Sequence, residues 1–204
     1  MRHGPTLDEI WKSTPPAKDT FQPEHLAHLP PAARRYLERA IKPGTPLASA
    51  VRFRMHGEIK LDEWLPFTAD QVTRWGHGMI WRATVRKNGI PIRGSDRFWN
   101  GEAVMRWKVF GIIRVMTASG PDISRSGAGR VMAEAVWLPS VLCGSGVSWT
   151  AKDEFHPRAR LAVRPEVGEL ALLPSTSRAG SRPSVCRAGA TLAAQSSTMW
   201  VSAP

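Results

Sequence analysis

Apolar and polar residues alternate along most of the chain from Val51 onward. The segment "VRFRMHGEIKL" (51–61) repeats with a period of two residues, which is typical of a strand with one buried face. The segment "GMIWRATVRK" (78–87) alternates in the same way, and the Asn-Gly pairs at 88–89 and 100–101 are typical of tight hairpin turns. A long strand through Trp107 follows the second pair. The pattern therefore predicts an antiparallel meander, with one face of the sheet toward solvent.

Helical patterns flank this meander. "TLDE" at 6–9 fits a capping box, and "PAARRYLERAIKPG" (31–44) has a proline in its first turn and a Pro-Gly stop. The third pattern lies within "SGPDISRSGAGRVMAEAVWLPSVL" (119–142), where Ser126 is a candidate N-cap and Pro139 ends or kinks the helix. We predict a helix near residues 127–138 that packs on the inward face of the sheet.

The composition changes near Arg164 and sets the predicted domain boundary. Beyond it the chain consists mainly of small residues, proline and arginine, a composition that buries too little apolar surface to offset the entropy of ordering. We therefore predict an N-terminal extension over 1–20, one α+β domain over 21–164, and a tail over 165–204. The tail is interpreted as disordered or as out-of-frame translation, and the second interpretation is favoured because the series of strands before it looks unfinished.

The chain is basic, with 28 Lys and Arg against 17 Asp and Glu and a net charge of +11. Such an excess attracts nucleic acid or anionic lipid. Here the basic residues are spaced singly along the predicted strands, so a solvated basic face is expected and nucleic-acid binding is the less favoured alternative. The two cysteines show no recognisable spacing and are interpreted as free thiols. With no membrane-length apolar run and no leader pattern, a cytoplasmic location is expected.

An ordered series of motifs carries a family resemblance. The motifs are "HLPPAARRYL", "GSDRFWNGEAVMRWKVFG" and "SGAGRVMAEAVWLPSVL", the last containing G-R-x-x-A-E-x-x-W-L-P. Over roughly residues 21–160 the chain resembles a family of bacterial domains of unknown function. The resemblance implies an α+β fold with a curved, open antiparallel sheet, similar to the half-barrels of lipoprotein carriers, and a helix on its concave face. It also implies further strands after "VSW", which this chain lacks.

Four charged residues near the third helix are candidates for a polar site. A glutamate on a largely apolar helix needs a partner if it is buried, because an unpaired buried charge is costly. An arginine of the same segment is the expected partner, and the pair is interpreted first as a lock between helix and sheet and second as a polar anchor for a ligand. The four residues are Asp96, Arg125, Arg130 and Glu134.

Large, soft apolar side chains are predicted between the sheet and the helix. Such side chains either fill a core, which is the more common case, or line a cavity for an apolar ligand. The candidate ligand-binding residues are Met79, Trp81, Trp107, Met132, Val136 and Trp137.

The favoured function is a non-catalytic binder of an apolar or lipid-like ligand. An enzyme of unknown reaction that uses Asp96 and Glu134 is one alternative, and a nucleic-acid binder that uses the basic face is the other. The chain contains no nucleophile elbow, phosphate-binding loop or dinucleotide motif, so no cofactor is predicted. No spacing of ligands predicts a metal.

Overall fold

The computed structural model describes residues 4–172, in which the main element is a six-stranded antiparallel sheet. Each strand pairs with the next along the chain, and the sheet does not close on itself. This order confirms the predicted antiparallel meander and the α+β class. The strands are β1 (Ala50–Lys60), β2 (Trp64–Arg74), β3 (Gly78–Lys87), β4 (Ile90–Trp99), β5 (Glu102–Val109) and β6 (Ile113–Ser119).

Tight turns set the register of these strands. Both residues of each Asn-Gly pair have positive φ, with values of 49° and 80° at 88–89 and 50° and 92° at 100–101. Such turns match the twist of paired strands. A third turn of this kind, at Phe110 and Gly111 (φ 53° and 76°), separates β5 from β6. The sequence pattern did not indicate that turn, because phenylalanine is not a turn residue.

Helix α1 (Leu7–Lys12) covers one corner of the sheet. Its predicted capping box is confirmed, with Glu9 N–H donating to Thr6 Oγ1 at 3.2 Å and Thr6 N–H donating to Glu9 Oε2 at 2.7 Å. The buried face of the helix packs against Val72 and Ile80. The segment expected to be an N-terminal extension therefore contributes a small second core on what we call the outer face of the sheet.

Helix α3 (Pro121–Ala133) lies on the opposite, inner face and contacts β3 to β6. It continues as a 3₁₀ turn over Glu134–Trp137. The predicted helix is present, but its predicted start at 127 with Ser126 as N-cap is wrong. The helix begins at Pro121, directly after Gly120. Proline suits this first position because its fixed φ is helical and its missing N–H has no partner there.

Gly127 lies inside α3, where the helix packs closely against Phe98 of β4. A Cβ built at this position would lie 3.0 Å from the Cβ of Phe98, a buried inner-face residue. A larger residue here would push Phe98 or the helix away by a few tenths of an ångström, so glycine suits this close approach. The position predicted as the first residue of the helix is instead a packing contact inside it.

A second sheet packs on α3. Its strands are β7 (Ser148–Ala151), β8 (Pro157–Val163) and β9 (Glu166–Ala171), and helix α2 (Pro31–Ala40) contacts the first two. β8 and β9 alternate strictly enough to bury Leu161, Val163 and Leu170 against the main core. Because these two strands follow the "VSW" segment, the expectation that the chain lacks further strands there is wrong.

The presence of β9 also corrects the boundary predicted at 164. Residues 166–171 form a paired strand, and Leu170 and Leu172 are buried, so the prediction of an unpacked tail is wrong for this segment. The alternation of buried and exposed positions in β9 was hard to recognise in the sequence, because Gly168 and Glu166 stand at the inward positions before Leu170. The remainder of the predicted tail, residues 173–204, lies outside the described residues.

We expect Leu170→Ala to lower the free energy of unfolding by about 2–5 kcal/mol, because it removes a core side chain and leaves a cavity. The matched control is Val167→Ala on the same strand, where the side chain is exposed and the change should stay within about 0.5 kcal/mol. Urea unfolding measures both values. Equal, small effects would mean that β9 is not part of the core.

Candidate functional site

Arg130 of α3 is the centre of a polar cluster on the inner face. Three residues directly beneath it, Gln71, Trp81 and Asp96, are register partners on β2, β3 and β4 and form one row across the sheet. The Arg130 guanidinium donates from Nη1 to Asp96 Oδ2 and from Nη2 to Gln71 Oε1, each at 3.3 Å. It also lies 5.1 Å from the centre of the Trp81 ring, within cation–π range. One side chain therefore joins the helix to three strands.

Glu134 follows Arg130 by one helical turn and completes the cluster. Arg130 Nε donates to Glu134 Oε1 at 2.8 Å, and Gln71 Nε2 donates to the other carboxylate oxygen and, at 3.0 Å, to Thr73 Oγ1. A negative charge at the carboxyl end of a helix is unfavourable by itself. The hydrogen bonds from Arg130 and Gln71 offset that cost.

The cluster is largely shielded from solvent. The side chains of Arg130, Asp96 and Glu134 are 21%, 11% and 10% exposed. Burial raises the pKa of Asp96, while the charge of Arg130 and the hydrogen bonds from Trp107 and Arg130 act in the opposite direction. Arg130 is shared by two carboxylates, Asp96 and Glu134. When Asp96 binds a proton, Arg130 keeps its ion pair with Glu134, so the loss of electrostatic energy is smaller than it would be if Asp96 were the sole partner of Arg130.

Trp107 extends the cluster toward the open side of the sheet. Its indole Nε1 donates to Asp96 Oδ1 at 3.1 Å, and its ring lies 5.7 Å from the ring of Trp81. The ring occupies the space over Gly94, its register partner on β4, where a Cβ would overlap it. The indole is therefore held flat against the sheet, with part of its surface exposed.

The structure separates the candidate residues into groups. Met79, Trp81 and Met132 are 1%, 2% and 4% exposed and belong to the core, and Val136 packs against them at its margin. Within residues 4–172, Trp81 Nε1 is a buried donor with no acceptor. Trp137 does not face the sheet centre: it is exposed and contacts Phe53 edge-on at 5.4 Å.

Arg125, grouped in the sequence analysis with Arg130, lies outside the cluster. It pairs with Asp122 at 3.0 Å and with Glu166 at 3.9 Å, and its side chain is 61% exposed. Arg125 and Arg130 are five positions apart, which places them about 140° apart around the helix. Of the two arginines, Arg130 forms the ion pair that joins α3 to the large sheet, and Arg125 does not.

An exposed apolar strip adjoins Trp107, and the sequence analysis missed it. We call Trp107, Val109, Ile113 and Met116 the edge strip; they are register neighbours on the inner face of β5 and β6. Ile113 and Met116 are 63% and 41% exposed. The signal in the sequence was the run "FGIIRVM", in which apolar residues are not interrupted by the alternation seen elsewhere.

Residues 4–172 provide no sign of a metal site, a reactive cysteine or a membrane-spanning helix. This part of the chain has no group of three His, Cys, Asp or Glu side chains placed to hold a metal ion. Its one cysteine, Cys143, is a free thiol whose pKa is raised by burial to about 11, so the nucleophilic thiolate is scarce at neutral pH. No helix in the same range is long and apolar enough to cross a membrane.

Fold and site together define an α+β domain in which a helix is fixed to an open antiparallel sheet by a shielded guanidinium. The chain belongs to a family of unknown function, DUF6544, whose model matches residues 19–178. This match confirms the family resemblance seen in the sequence. It also extends past 164, as β9 does. Comparison with curated proteins and with solved structures gave no match.

Replacing Arg130 by methionine should lower the free energy of unfolding by about 3–5 kcal/mol, because it leaves two carboxylates shielded without their cation. Arg125→Met is the matched control: it removes an exposed pair on the same helix and should cost less than about 1 kcal/mol. Denaturant unfolding monitored by tryptophan fluorescence gives both values. Similar losses in the two variants would show that the cluster does not hold the helix.

The pH dependence of Asp96→Asn tests the electrostatics of the cluster. Since the folded-state pKa is raised above the ordinary value of 3.8, the folded chain binds this proton more tightly than the unfolded chain. The stabilisation that this bound proton gives the folded chain is fully present below pH 3.8 and is lost as the pH rises through the folded-state pKa of Asp96. The asparagine side chain does not titrate, so wild type should lose stability relative to the variant between acid and neutral pH. A relative gain for wild type would mean that Arg130 dominates and lowers the pKa.

Proposed function

We propose that this domain is a non-catalytic binder of an apolar, lipid-like ligand that lies along the edge strip. The observation that carries the proposal is the exposure of Ile113 and Met116 on the same sheet face as the half-buried indole of Trp107. Contiguous exposed apolar surface of this kind marks interaction sites. An open half-barrel with its concave side toward the ligand is the shape expected for such a binder.

The polar cluster gives the strip a polar end. Trp107 contacts both regions, since its ring belongs to the strip and its Nε1 donates to Asp96. An acyl chain on the strip would place its polar end near Arg130, whose side chain retains some exposure. An apolar surface with a few fixed polar groups is the usual composition of a small-molecule site.

The core residues among the sequence candidates have a supporting role in this proposal. Trp81 lies beside Trp107, with ring centres 5.7 Å apart, and supports its ring, while Met79 and Met132 fill the space between α3 and the sheet. The ligand therefore lies beside the helix and not between the helix and the sheet. Val136 and Trp137, at the far margin of α3, have no direct contact with it.

An enzyme that uses Asp96 and Glu134 is the second candidate. The raised pKa of Asp96 supports it, because such a carboxyl carries its proton to higher pH and can act as an acid. Against it, each carboxylate already accepts hydrogen bonds from two partners: Arg130 and Trp107 for Asp96, Arg130 and Gln71 for Glu134. Such saturation is typical of a structural cluster, so we favour the binder.

The test is binding of a fluorescent long-chain fatty acid to wild type and two lysine variants of neighbouring residues. Met116→Lys places a charge on the edge strip, and Thr117→Lys places the same charge on the opposite face of the same strand. We expect binding to weaken by about tenfold or more in the first variant, because an ammonium group cannot be buried against an acyl chain without large cost. The second variant should bind like wild type.

Thermal unfolding of both variants controls for stability. Equal weakening by the two substitutions would indicate charge effects without a site, and absence of binding by wild type would refute the proposal. Native mass spectrometry of protein purified from its host supplies the natural ligand: a co-purified lipid supports the proposal.

A further inference from the structure

The outer face of the large sheet carries a group of arginines that is independent of the proposed lipid site. Arg82 on β3 and Arg106 on β5 are both register partners of Ser95 on β4, so the three residues form one row. Arg97 lies two residues along β4 on the same face, diagonal to both other arginines. Diagonal neighbours in a sheet have Cβ atoms about 7–8 Å apart. We call Arg82, Arg97 and Arg106 the arginine triad.

No member of the triad forms an ion pair within residues 4–172, whereas other arginines of this face do. Arg52 pairs with Asp8 at 2.8 Å and Arg54 pairs with Asp70 at 3.3 Å. Asp70 is the register partner of Arg82 on β2, but it is the carboxylate that pairs with Arg54. Glu102, at the start of β5 on the same face, forms no ion pair with them either.

A small cavity lies over the triad. It has a volume of about 160 Å³ and a mixed lining of arginine, hydroxyl and apolar groups. The segment Gly4–Thr6, which leads into α1, forms one wall, and the backbone at Gly4 packs directly against the Arg97 guanidinium. The full lining is Gly4, Pro5, Thr6, Ile80, Arg82, Ser95, Arg97, Val104 and Arg106.

We propose that this cavity is a binding site for a phosphate group, held by the arginine triad and the Ser95 hydroxyl. Three like charges held close together repel one another, and a bound anion removes that repulsion. Guanidinium groups present paired N–H donors that match the oxygens of a phosphate, which favours phosphate over a monovalent halide. The hydroxyl adds a further donor.

The dimensions of the site favour a single phosphate group over an extended polyanion. The triad spans three adjacent strands, about 10 Å at the usual strand spacing, and the N-terminal segment walls one side. A phosphate carried by a small molecule and one carried by a lipid headgroup share this chemistry. The proposal does not depend on the lipid site of the inner face, because the two sites share no residue.

The experiment compares three glutamine variants with wild type in isothermal titration calorimetry. Arg97→Gln and Arg106→Gln remove one member of the triad each. Arg93→Gln is the matched control, since Arg93 is exposed on the same strand and face as Arg97 but lies outside the cavity. The probes are inorganic phosphate, glycerol phosphate, vesicles of anionic phospholipid, and a single-stranded oligonucleotide. Phosphate-induced shifts in thermal midpoint provide a second readout of the same binding.

We expect each triad variant to weaken phosphate or glycerol phosphate binding by about tenfold or more, the loss of one charge-assisted hydrogen bond. Arg93→Gln should leave it unchanged. Binding of vesicles with the same dependence on the triad, but not of free phosphate, would assign the phosphate to a lipid headgroup. The proposal is overturned if wild type binds none of the probes. It is also overturned if all three variants lose affinity equally, with the oligonucleotide the tightest probe, because that result indicates a diffuse basic surface.

Discussion

The Arg130 guanidinium is the centre of the polar cluster that joins α3 to the inner face of the large sheet. It donates to Glu134 on its own helix and to Asp96 and Gln71 on two different strands, and it stacks on Trp81 between them. The apolar contacts of α3, above all that of Gly127 with Phe98, bring the helix close, but they are not directional. The polar cluster fixes the rotation and position of the helix because each of its bonds has one geometry.

This placement decides which surfaces remain available for binding. Because α3 covers the part of the inner face around Phe98, Ile113 and Met116 on the inner side of β6 stay exposed in the described chain, and Trp107 lies at the boundary. On the outer face, α1 covers Val72 and Ile80 and leaves the arginine triad beside it. Each proposed site thus lies on a part of its sheet face that the helices leave accessible.

Much of the fold followed from local patterns in the sequence. The period of two along β3 predicted its buried face, and the Asn-Gly pairs and the Thr6–Glu9 capping box have the conformations expected of them. The sequence misled where a residue has a role that depends on tertiary contacts. Gly127 was predicted as the first residue of the helix and is instead a packing contact inside it. Gln71 joins Glu134 across 63 positions, and the triad is assembled from three strands, so both depend on register, which no single segment encodes.

A double-mutant cycle between Arg130 and Asp96 tests most directly whether the cluster couples helix and sheet. The free energy of unfolding is measured for wild type, Arg130→Met, Asp96→Asn and the double variant. We expect the double variant to lose about 1–3 kcal/mol less stability than the sum of the two single losses, as for residues in one buried network. Additive losses, with a coupling energy near zero, would contradict the account, because they would mean that the Arg130–Asp96 contact does not hold α3 in place.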